Sequence, residues 1–497
     1  MHIEKILRPG ASVYFVGIKG TGVCALAELM YHSGMKVSGS DTGEVFYTDS
    51  ILRELGIPYY ESFDAAHIRD DFDIVIHSAA YSAETNPELA EARRRSLPVV
   101  KYPEALGAWS AAFDSTGIAG VHGKTTTAAI SGALMKGAGV PAQILAGSAV
   151  TNFNGRSTLT LGNRYFIAET CEYRKHFLAF HPAHIILSAV ESDHQDFFPT
   201  YESIRDAFIE YCRLLPPGGE LIYCADDPGA AEVARIIGKE NRGIQLIPYG
   251  FTASGDYRID SYRVENERAK FRVACFPEEF AICVPGRHEA LNAAAALALT
   301  FILVKKEGGW NEERRRRVKK ALEEFRGSKR RSEIIGEAGG IIFMDDYAHH
   351  PTAIKTTLEG LKDFYPERRL VVSFMSHTYS RTAALLDDFA LSLAAKRSAD
   401  VLFLHKIYAS AREQYKGGVT GRSLYEKVKE LRSPDFVSED SGSVSIYYID
   451  EPIDALETIK KILKPGDLFI TLGAGNNWTL GLELFNFYKS RGAGGQK

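Results

Sequence analysis

A short glycine-rich loop between a strand and a helix constrains this chain more than any other stretch. Residues 117–127 read GIAGVHGKTTT, with an apolar strand pattern before them and a helical pattern after them. In such a loop the backbone N–H groups face one anion, a lysine adds positive charge, and a threonine hydroxyl can bind Mg²⁺. The alternative is an ordinary glycine turn before a helix. The pattern predicts a phosphate site at Gly120, Val121, His122, Gly123, Lys124, Thr125 and Thr126.

The length and composition indicate a soluble protein of about three domains. The chain has 497 residues, and domains average about 150 residues. A hydrophobic share of 45%, a charged share of 25% and a net charge of −4 favour neither nucleic acid nor a membrane as the main partner. The start of the chain lacks a secretory signal pattern, and no run of about 18 apolar residues occurs. We therefore expect a cytoplasmic protein.

The first region, residues 1–113, opens with a strand, a glycine loop, a helix and a second strand. Its glycines are Gly17, Gly20 and Gly22, in the order G-x-x-G-x-G. This order differs from the dinucleotide fingerprint G-x-G-x-x-G, so a dinucleotide is not the favoured ligand. Asp41 ends the second strand, where it can bind a nucleotide hydroxyl or base edge. The alternative is a packing turn with Asp41 as a helix cap.

The second region, residues 114–328, places carboxylates and a histidine after two predicted strands. Glu169 and Glu172 follow one strand, and Asp193 and His194 follow the next. In phosphate-loop proteins a carboxylate at the end of a neighbouring strand holds the magnesium ion. Taken alone, Asp193 and His194 are more typical of a cap and a surface histidine. Together with the loop they predict one site.

The third region, residues 329–497, again alternates strands and helices, with polar motifs where strands end. DDYAHHP contains Asp346, His349 and His350, and SHTYSRT contains Arg381. Helix capping is the alternative explanation of the first motif. Strands that alternate with helices predict parallel sheets. We therefore predict an α/β protein with a Rossmann-like N-terminal domain, a central P-loop domain and a C-terminal Rossmann-like domain.

Four motifs occur in one order along the chain. They are Gly-x-His-Gly-Lys-Thr-Thr-Thr, Asp-His-x-Asp, Pro-Gly-x-His and Asp-Asp-Tyr-x-His-His-Pro. In these motifs the chain resembles the Mur ligases over essentially its whole length. The resemblance implies a first domain that binds a UDP-linked substrate, a central ATP-binding domain, and a C-terminal domain that closes over ATP and receives an amino acid. It further implies that ATP drives the joining of L-alanine to UDP-N-acetylmuramate in peptidoglycan synthesis.

The resemblance also implies roles for the central residues. Lys124 contacts the β and γ phosphates of ATP, Thr125 and Glu169 bind one Mg²⁺, and His194 lies near a second ion. Glu172 orients the substrate or helps to deprotonate the amine. The loop residues 120–126, together with Asn292 and Asp346, form the ATP site.

Roles in the outer domains follow in the same way. His349 and His350 flank the adenosine and the amino acid, and Arg381 pairs with the alanine carboxylate. The residues that the resemblance assigns to the uridine nucleotide are Gly17, Gly20, Gly22, Asp41 and Ser78. We expect small-molecule partners only, and a monomer or weak homodimer.

Three positions depart from the family pattern. Lys19 replaces a glycine in the first loop, Glu289 replaces an asparagine near the adenine, and Cys171 follows the magnesium glutamate, where it makes the site a target for thiol reagents. Two other functions stay open. One is a recycling ligase that joins a ready-made tripeptide to UDP-N-acetylmuramate, and the other is a nucleotide-dependent switch protein without ligase activity.

Overall fold

The computed structural model describes residues 3–409, 418–432 and 445–493, the last of these with side chains to residue 491. Three sheets of five, ten and six strands follow one another along the chain. Each is built largely of parallel strands with helices between them, because apolar runs alternate with amphipathic segments. The predicted α/β class with three domains is confirmed.

The first sheet is parallel throughout and reverses its strand order beside its first strand. Its strands are β1 (Ser12–Val16), β2 (Lys36–Ser40), β3 (Tyr59–Tyr60), β4 (Ile74–His77) and β5 (Val99–Lys101), in the order β3-β2-β1-β4-β5. Its helices are α1 (Thr21–His32), α2 (Thr48–Leu55), α3 (Pro87–Arg94) and α4 (Tyr102–Ser110). The loop after β1 therefore lies where such sheets bind ligands.

The second sheet has the phosphate-loop strand near its middle. Its strands are β6 (Asp114–Ala119), β7 (Ala142–Val150), β8 (Arg156–Thr160), β9 (Tyr165–Glu169), β10 (His184–Leu187), β11 (Glu220–Cys224), β12 (Gln245–Gly250), β13 (Tyr257–Val264), β14 (Ala269–Val273) and β15 (Glu279–Ile282). Its helices are α5 (Lys124–Ala138), α6 (Tyr201–Cys212), α7 (Pro228–Lys239), α8 (Arg287–Lys306) and α9 (Glu312–Glu323). Strand β6 pairs in parallel with β9 and β10, so the carboxyl ends of all three strands meet at one edge.

The third sheet carries one antiparallel edge strand on an otherwise parallel arrangement. Its strands are β16 (Glu333–Ala338), β17 (Ile341–Asp346), β18 (Arg369–Met375), β19 (Val401–Leu404), β20 (Ser445–Tyr448) and β21 (Asp467–Gly473), in the order β16-β17-β21-β18-β19-β20. Its helices are α10 (Pro351–Phe364), α11 (Tyr379–Ala384), α12 (Leu386–Ala394), α13 (Gly421–Leu431), α14 (Leu456–Ile462) and α15 (Trp478–Ala493). The DDYAHHP motif lies between β17 and α10.

Helix α8 is the apolar centre of the second domain. Among the described residues it alone is long and apolar enough to span a membrane, yet 72% of its most apolar window is buried inside the protein. Its alanines let it pack closely against α5, the helix that follows the phosphate loop. We therefore assign α8 to the core.

The sequence patterns located most elements but not all of their limits. The sequence pattern predicts one helix over 382–395, but the structure has two helices there, because Leu385 leaves the helical conformation with φ −118° and ψ 24°. The edge strands β16 and β20 were not predicted, because both are short or partly exposed and lack a continuous apolar run.

Candidate active site

Two glycines of the phosphate loop occupy conformations and spaces that exclude a side chain. Gly120 has φ 134° and Gly123 has φ 81°, both in the range that favours glycine. A Cβ at Gly120 would lie 2.2 Å from Ser188 Oγ, and a Cβ at Gly123 would lie 2.6 Å from Asn292 Oδ1. Ser188 and Asn292 thus pack directly against these two glycines. Helix α5 begins at Lys124, the residue after Gly123.

Lys124 is paired with Glu172 above the loop. Its Nζ lies 2.8 Å from Glu172 Oε2 and donates to Gly120 O at 2.5 Å, and His194 Nε2 lies 3.4 Å from Glu172 Oε1. Burial alone would raise the pKa of the Glu172 carboxyl, but Lys124 and His194 hold it below its ordinary value. Glu172 is therefore held by two cationic partners, and its role in the reaction stays a prediction.

Thr125 and Glu169 bring two oxygen atoms together beside the loop. Thr125 Oγ1 donates to Glu169 Oε2 at 2.7 Å. A Cβ at Gly147 would lie 2.1 Å from Glu169 Oε1, so glycine on β7 makes the space that the carboxylate fills. A hydroxyl and a carboxylate are donors that Mg²⁺ accepts, so this pair fits the ion implied by the sequence. His194 contacts Glu172 and not this pair.

The third domain reaches this edge of the second sheet through Arg381 and His350. Arg381 Nη2 and Nε donate to Asp193 Oδ1 at 2.7 and 2.9 Å, and both side chains are buried. His350 Nε2 lies 3.3 Å from Ser192 O. Arg381, predicted to bind an amino-acid carboxylate, is therefore occupied by a carboxylate of the protein.

Asp346 and His349 lie at the same junction with different partners. Asp346 accepts hydrogen bonds from the N–H groups of Ser332 and Ala348, at 2.6 and 2.7 Å, and so fixes the turn after β17. His349 Nδ1 lies 2.6 Å from Tyr347 O, and burial followed by the nearby Arg381 keeps its pKa well below the ordinary value. His349 is accordingly a neutral imidazole.

One cavity of about 440 Å³ is lined by residues of both domains. Its wall includes the loop residues 121–126 and the side chains of Glu169 and Asp193 from the second domain, and residues 346–350 from the third. The predicted site residues of these two domains therefore lie close together. Asn292 lines the same cavity, but its Oδ1 accepts from Thr127 Oγ1 at 3.3 Å and supports the loop from beneath.

The predicted uridine site keeps its glycine loop, and Lys19 lies behind it. Gly17 has φ 83°, and Asp41 Oδ2 accepts from the N–H of Lys19 at 2.7 Å. The Lys19 ammonium is buried and lies 3.0 Å from Asp49 Oδ1. Ser78 follows β4, and its N–H donates to Val16 O at 3.0 Å. The Lys19 ammonium is thus held in a buried ion pair.

The other two departures are Glu289 and Cys171. Glu289 Oε2 accepts from Asn292 Nδ2 at 3.2 Å, so it orients that amide. Cys171 is exposed, so thiol reagents can reach it, and its sensitivity to them stays a prediction.

Sequence reasoning left some residues of this site without a role. Asp193 was noted beside His194, but its partner Arg381 lies 188 positions away. Glu191 lies two positions before Asp193, and its contacts with His122 and Thr352 were not foreseen. Both residues follow β10, and this position at the carboxyl end of a strand is the sequence signal that could have identified them as site residues.

The fold and the site define a three-domain α/β protein with a nucleotide phosphate loop that faces a third domain across one cavity. Three family models match in chain order: "Mur ligase family, catalytic domain" at residues 12–114, "Mur ligase middle domain" at 118–300, and "Mur ligase, glutamate ligase domain" at 330–475. The chain belongs to the Mur ligase family.

Curated relatives match over nearly their whole length. A UDP-N-acetylmuramate–L-alanine ligase of Treponema pallidum is 50% identical over 97% of each chain. One of Borreliella burgdorferi is 37% identical over 94% of this chain and 97% of its own. Among solved structures, the UDP-N-acetylmuramate-alanine ligase of Thermotoga maritima has a TM-score of 0.74 at 24% identity, covering 97% of this chain and 99% of its own. A murein peptide ligase of Psychrobacter arcticus has a TM-score of 0.62 at 22% identity, covering 96% and 98%.

Proposed function

We propose that this chain uses ATP to join L-alanine to UDP-N-acetylmuramate, an amide-forming step in the synthesis of peptidoglycan precursors. The observation that carries the proposal is the single cavity in which a phosphate loop meets the third domain, in a chain whose full-length relatives are named for this ligation. As a peptide-forming ligase on small-molecule substrates, it needs no macromolecular partner.

The reaction has two steps, and the first brings two anions together. The lactyl carboxylate of UDP-N-acetylmuramate attacks the γ-phosphorus of ATP, which breaks the bond to ADP and gives an acyl phosphate. Cations must offset the charge that builds up in that transition state. Lys124 has this role in the proposal, because its ammonium lies at the start of α5 beside the loop. Mg²⁺ held by Thr125 and Glu169 would neutralise further phosphate charge.

In the second step the amine of L-alanine attacks the acyl carbon, releases inorganic phosphate and loses a proton to form the amide. The third domain supplies His349, His350 and Arg381 near the acceptor in this proposal. Closure of this domain over the cavity excludes water, which would otherwise hydrolyse the acyl phosphate. Arg381 can bind the alanine carboxylate if it leaves Asp193 during turnover.

The remaining assignments belong to the same proposal. The first domain binds the uridine nucleotide with the glycine loop, Asp41 and Ser78, and His194 would help to hold a second Mg²⁺. The domains divide at residues 113/114 and 328/329. We place the protein in the cytoplasm as a monomer or weak homodimer.

Phosphate release by the purified protein tests the proposal. The assay contains ATP, Mg²⁺ and UDP-N-acetylmuramate, with L-alanine, with the tripeptide, or with no acceptor. We expect release that requires L-alanine, with one new UDP-muramoyl product per phosphate.

Two outcomes would contradict this. Release only with the tripeptide would assign the chain to the recycling branch, and release that depends on neither acceptor would favour the switch protein. The charge-offsetting groups of a ligase are present, which disfavours the switch protein.

A further inference from the structure

Two histidines and a glutamate meet where the second and third domains touch. His122 belongs to the phosphate loop, Glu191 follows β10, and His350 immediately precedes α10. His122 Nε2 contacts Glu191 Oε1, and His350 Nδ1 lies 3.5 Å from the same oxygen. One donor atom from each residue lies within 4.8 Å of the other two. Three elements that are distant in sequence thus direct their donor atoms into one space.

The protonation of His350 leaves a lone pair directed at that space. Its Nε2 lies 3.3 Å from Ser192 O, and a carbonyl only accepts, so Nε2 carries the proton. Its Nδ1 is buried and has no hydrogen-bond partner among the described residues, and the side chain is only 7% exposed. A bare nitrogen facing a carboxylate oxygen at 3.5 Å is unfavourable without a cation between them.

Hydrogen bonds from neighbouring groups hold Glu191 and His350 in place, as hydrogen bonds to metal ligands do in metal sites. Thr352 Oγ1 donates to Glu191 Oε2 at 3.0 Å, which leaves Oε1 facing the two imidazoles. The contact between Ser192 O and His350 fixes the tautomer and the ring orientation. The ring centroids of His122 and His350 lie 5.1 Å apart. The cluster is therefore preorganised.

We propose that His122, Glu191 and His350 form a binding site for Zn²⁺ that links the second and third domains. Two imidazole nitrogens and one carboxylate are a zinc donor set with a fourth position free for water. Mg²⁺ prefers oxygen ligands, so the site differs in chemistry from the pair Thr125 and Glu169. Because His350 alone comes from the third domain, a bound ion holds the two domains together.

The site is tested with chelator-treated full-length protein in the absence of nucleotide. Calorimetric titration with Zn²⁺ is expected to give one equivalent bound, and Co²⁺ in its place is expected to give the intense visible bands of a tetrahedral ion. H350Q and E191Q remove a ligand, and each is expected to weaken Zn²⁺ binding at least about 100-fold. T352V removes only the outer hydrogen bond and is expected to weaken it about 10-fold.

Matched controls change other polar residues of the candidate active site. H194Q removes a neighbouring histidine and E169Q removes the carboxylate beside Thr125, and both are expected to bind Zn²⁺ within about threefold of the parent. Zn²⁺ is also expected to raise the melting temperature of the parent but not of H350Q, because only the folded, closed protein holds the ligands together.

Three results would overturn the proposal. They are no stoichiometric Zn²⁺ binding by the parent, unchanged binding by H350Q, and loss of binding in E169Q. Thermal melting of each variant without Zn²⁺ shows whether that variant has folded. If H350Q or E191Q fails to fold, the Zn²⁺ affinity of T352V relative to the parent decides. The proposal is independent of the proposed ligase activity, since none of its measurements uses turnover.

Discussion

At the scale of single residues, the site is built from charges that are buried in pairs. Lys124 and Glu172 are both largely buried, and burial alone would lower the pKa of the lysine. Glu172 and neighbouring acidic groups reverse this and raise it above the ordinary value, so the ammonium keeps its charge. A charge preorganised in this way can stabilise the transferring phosphate without reorganisation.

Replacing Lys124 tests this role. We expect K124M to lower alanine-dependent phosphate release by about 100-fold or more, because a charge aimed at the transition state is lost. Initial rates at saturating substrates provide the measurement. K136M removes an exposed lysine from the same helix and is expected to keep its rate within about twofold. Equal losses in both variants would contradict the assignment.

Gly147 tests the position of Glu169. We expect G147A to displace the Glu169 carboxylate and lower kcat/KM by about 100-fold, since misplacement by 1 Å can cost that much. It is also expected to raise the Mg²⁺ concentration needed for half-maximal rate. The measurement is a Mg²⁺ titration of phosphate release. S148A changes the next residue of β7 and is expected to titrate like the parent, so similar shifts in both would reject the explanation.

At the scale of elements, a second ionic cluster ties β6, β10 and β11 together at the edge opposite the phosphate loop. His184 is 1% exposed and lies 2.9 Å from Asp114 Oδ1 and 2.6 Å from Glu220 Oε2. Lys306 from α8 also lies 3.0 Å from Asp114. Burial alone would lower the pKa of His184, but the two carboxylates raise it above 6.5.

This cluster predicts a pH-dependent contribution to stability. The pKa of His184 is higher in the folded protein than in the unfolded chain. Its contribution to folding stability is therefore complete below the pKa of the unfolded chain, about 6.5, and is lost as the pH rises through the pKa of the folded protein. We expect H184Q to cost about 2 kcal/mol near pH 6, with a smaller cost at higher pH. Urea unfolding midpoints across this range provide the measurement.

The control for H184Q is a nearby exposed histidine. H181Q is expected to change the unfolding free energy by about 0.5 kcal/mol or less. A cost for H184Q that grows as the pH rises would have the wrong sign and would contradict the assignment of a charged His184.

At the scale of the whole molecule, contacts across the cavity hold the third domain against the second. Arg381 and Asp193 are each 7% exposed, and Arg381 holds the pKa of Asp193 well below its usual range, against the effect of burial. Such a buried pair is costly to break from one side, because the remaining charge has no partner. This contact fixes the relative position of the two domains in the described structure.

A double-variant comparison tests this contact. We expect R381M to lower stability by about 3 kcal/mol, and R381M/D193N to recover part of that loss, since no unpaired charge remains. Thermal melting gives the stabilities, and small-angle scattering reports separation of the domains. R397M breaks an exposed pair with Asp363 in the third domain and is expected to cost about 0.5 kcal/mol or less. A double variant less stable than R381M would contradict this account.

Features carried by short stretches were predictable from the sequence. The phosphate loop was predictable because Gly120 and Gly123 must adopt positive φ values beside a lysine and a threonine that start a helix. The three-domain α/β architecture was predictable because apolar strands and amphipathic helices alternate throughout. The placement of Glu169 and His194 at one edge of the second sheet was predictable, because the carboxyl ends of parallel strands lie at the same edge.

The sequence by itself therefore determined the class of fold, the phosphate loop and the strand ends that carry the polar motifs. Only the tertiary structure decided the pairings: Lys124 with Glu172, Arg381 with Asp193, and His350 with Glu191. The physical reason is that propensity and periodicity act over a few residues. The distance between two side chains far apart in sequence depends instead on the packing of whole sheets and domains.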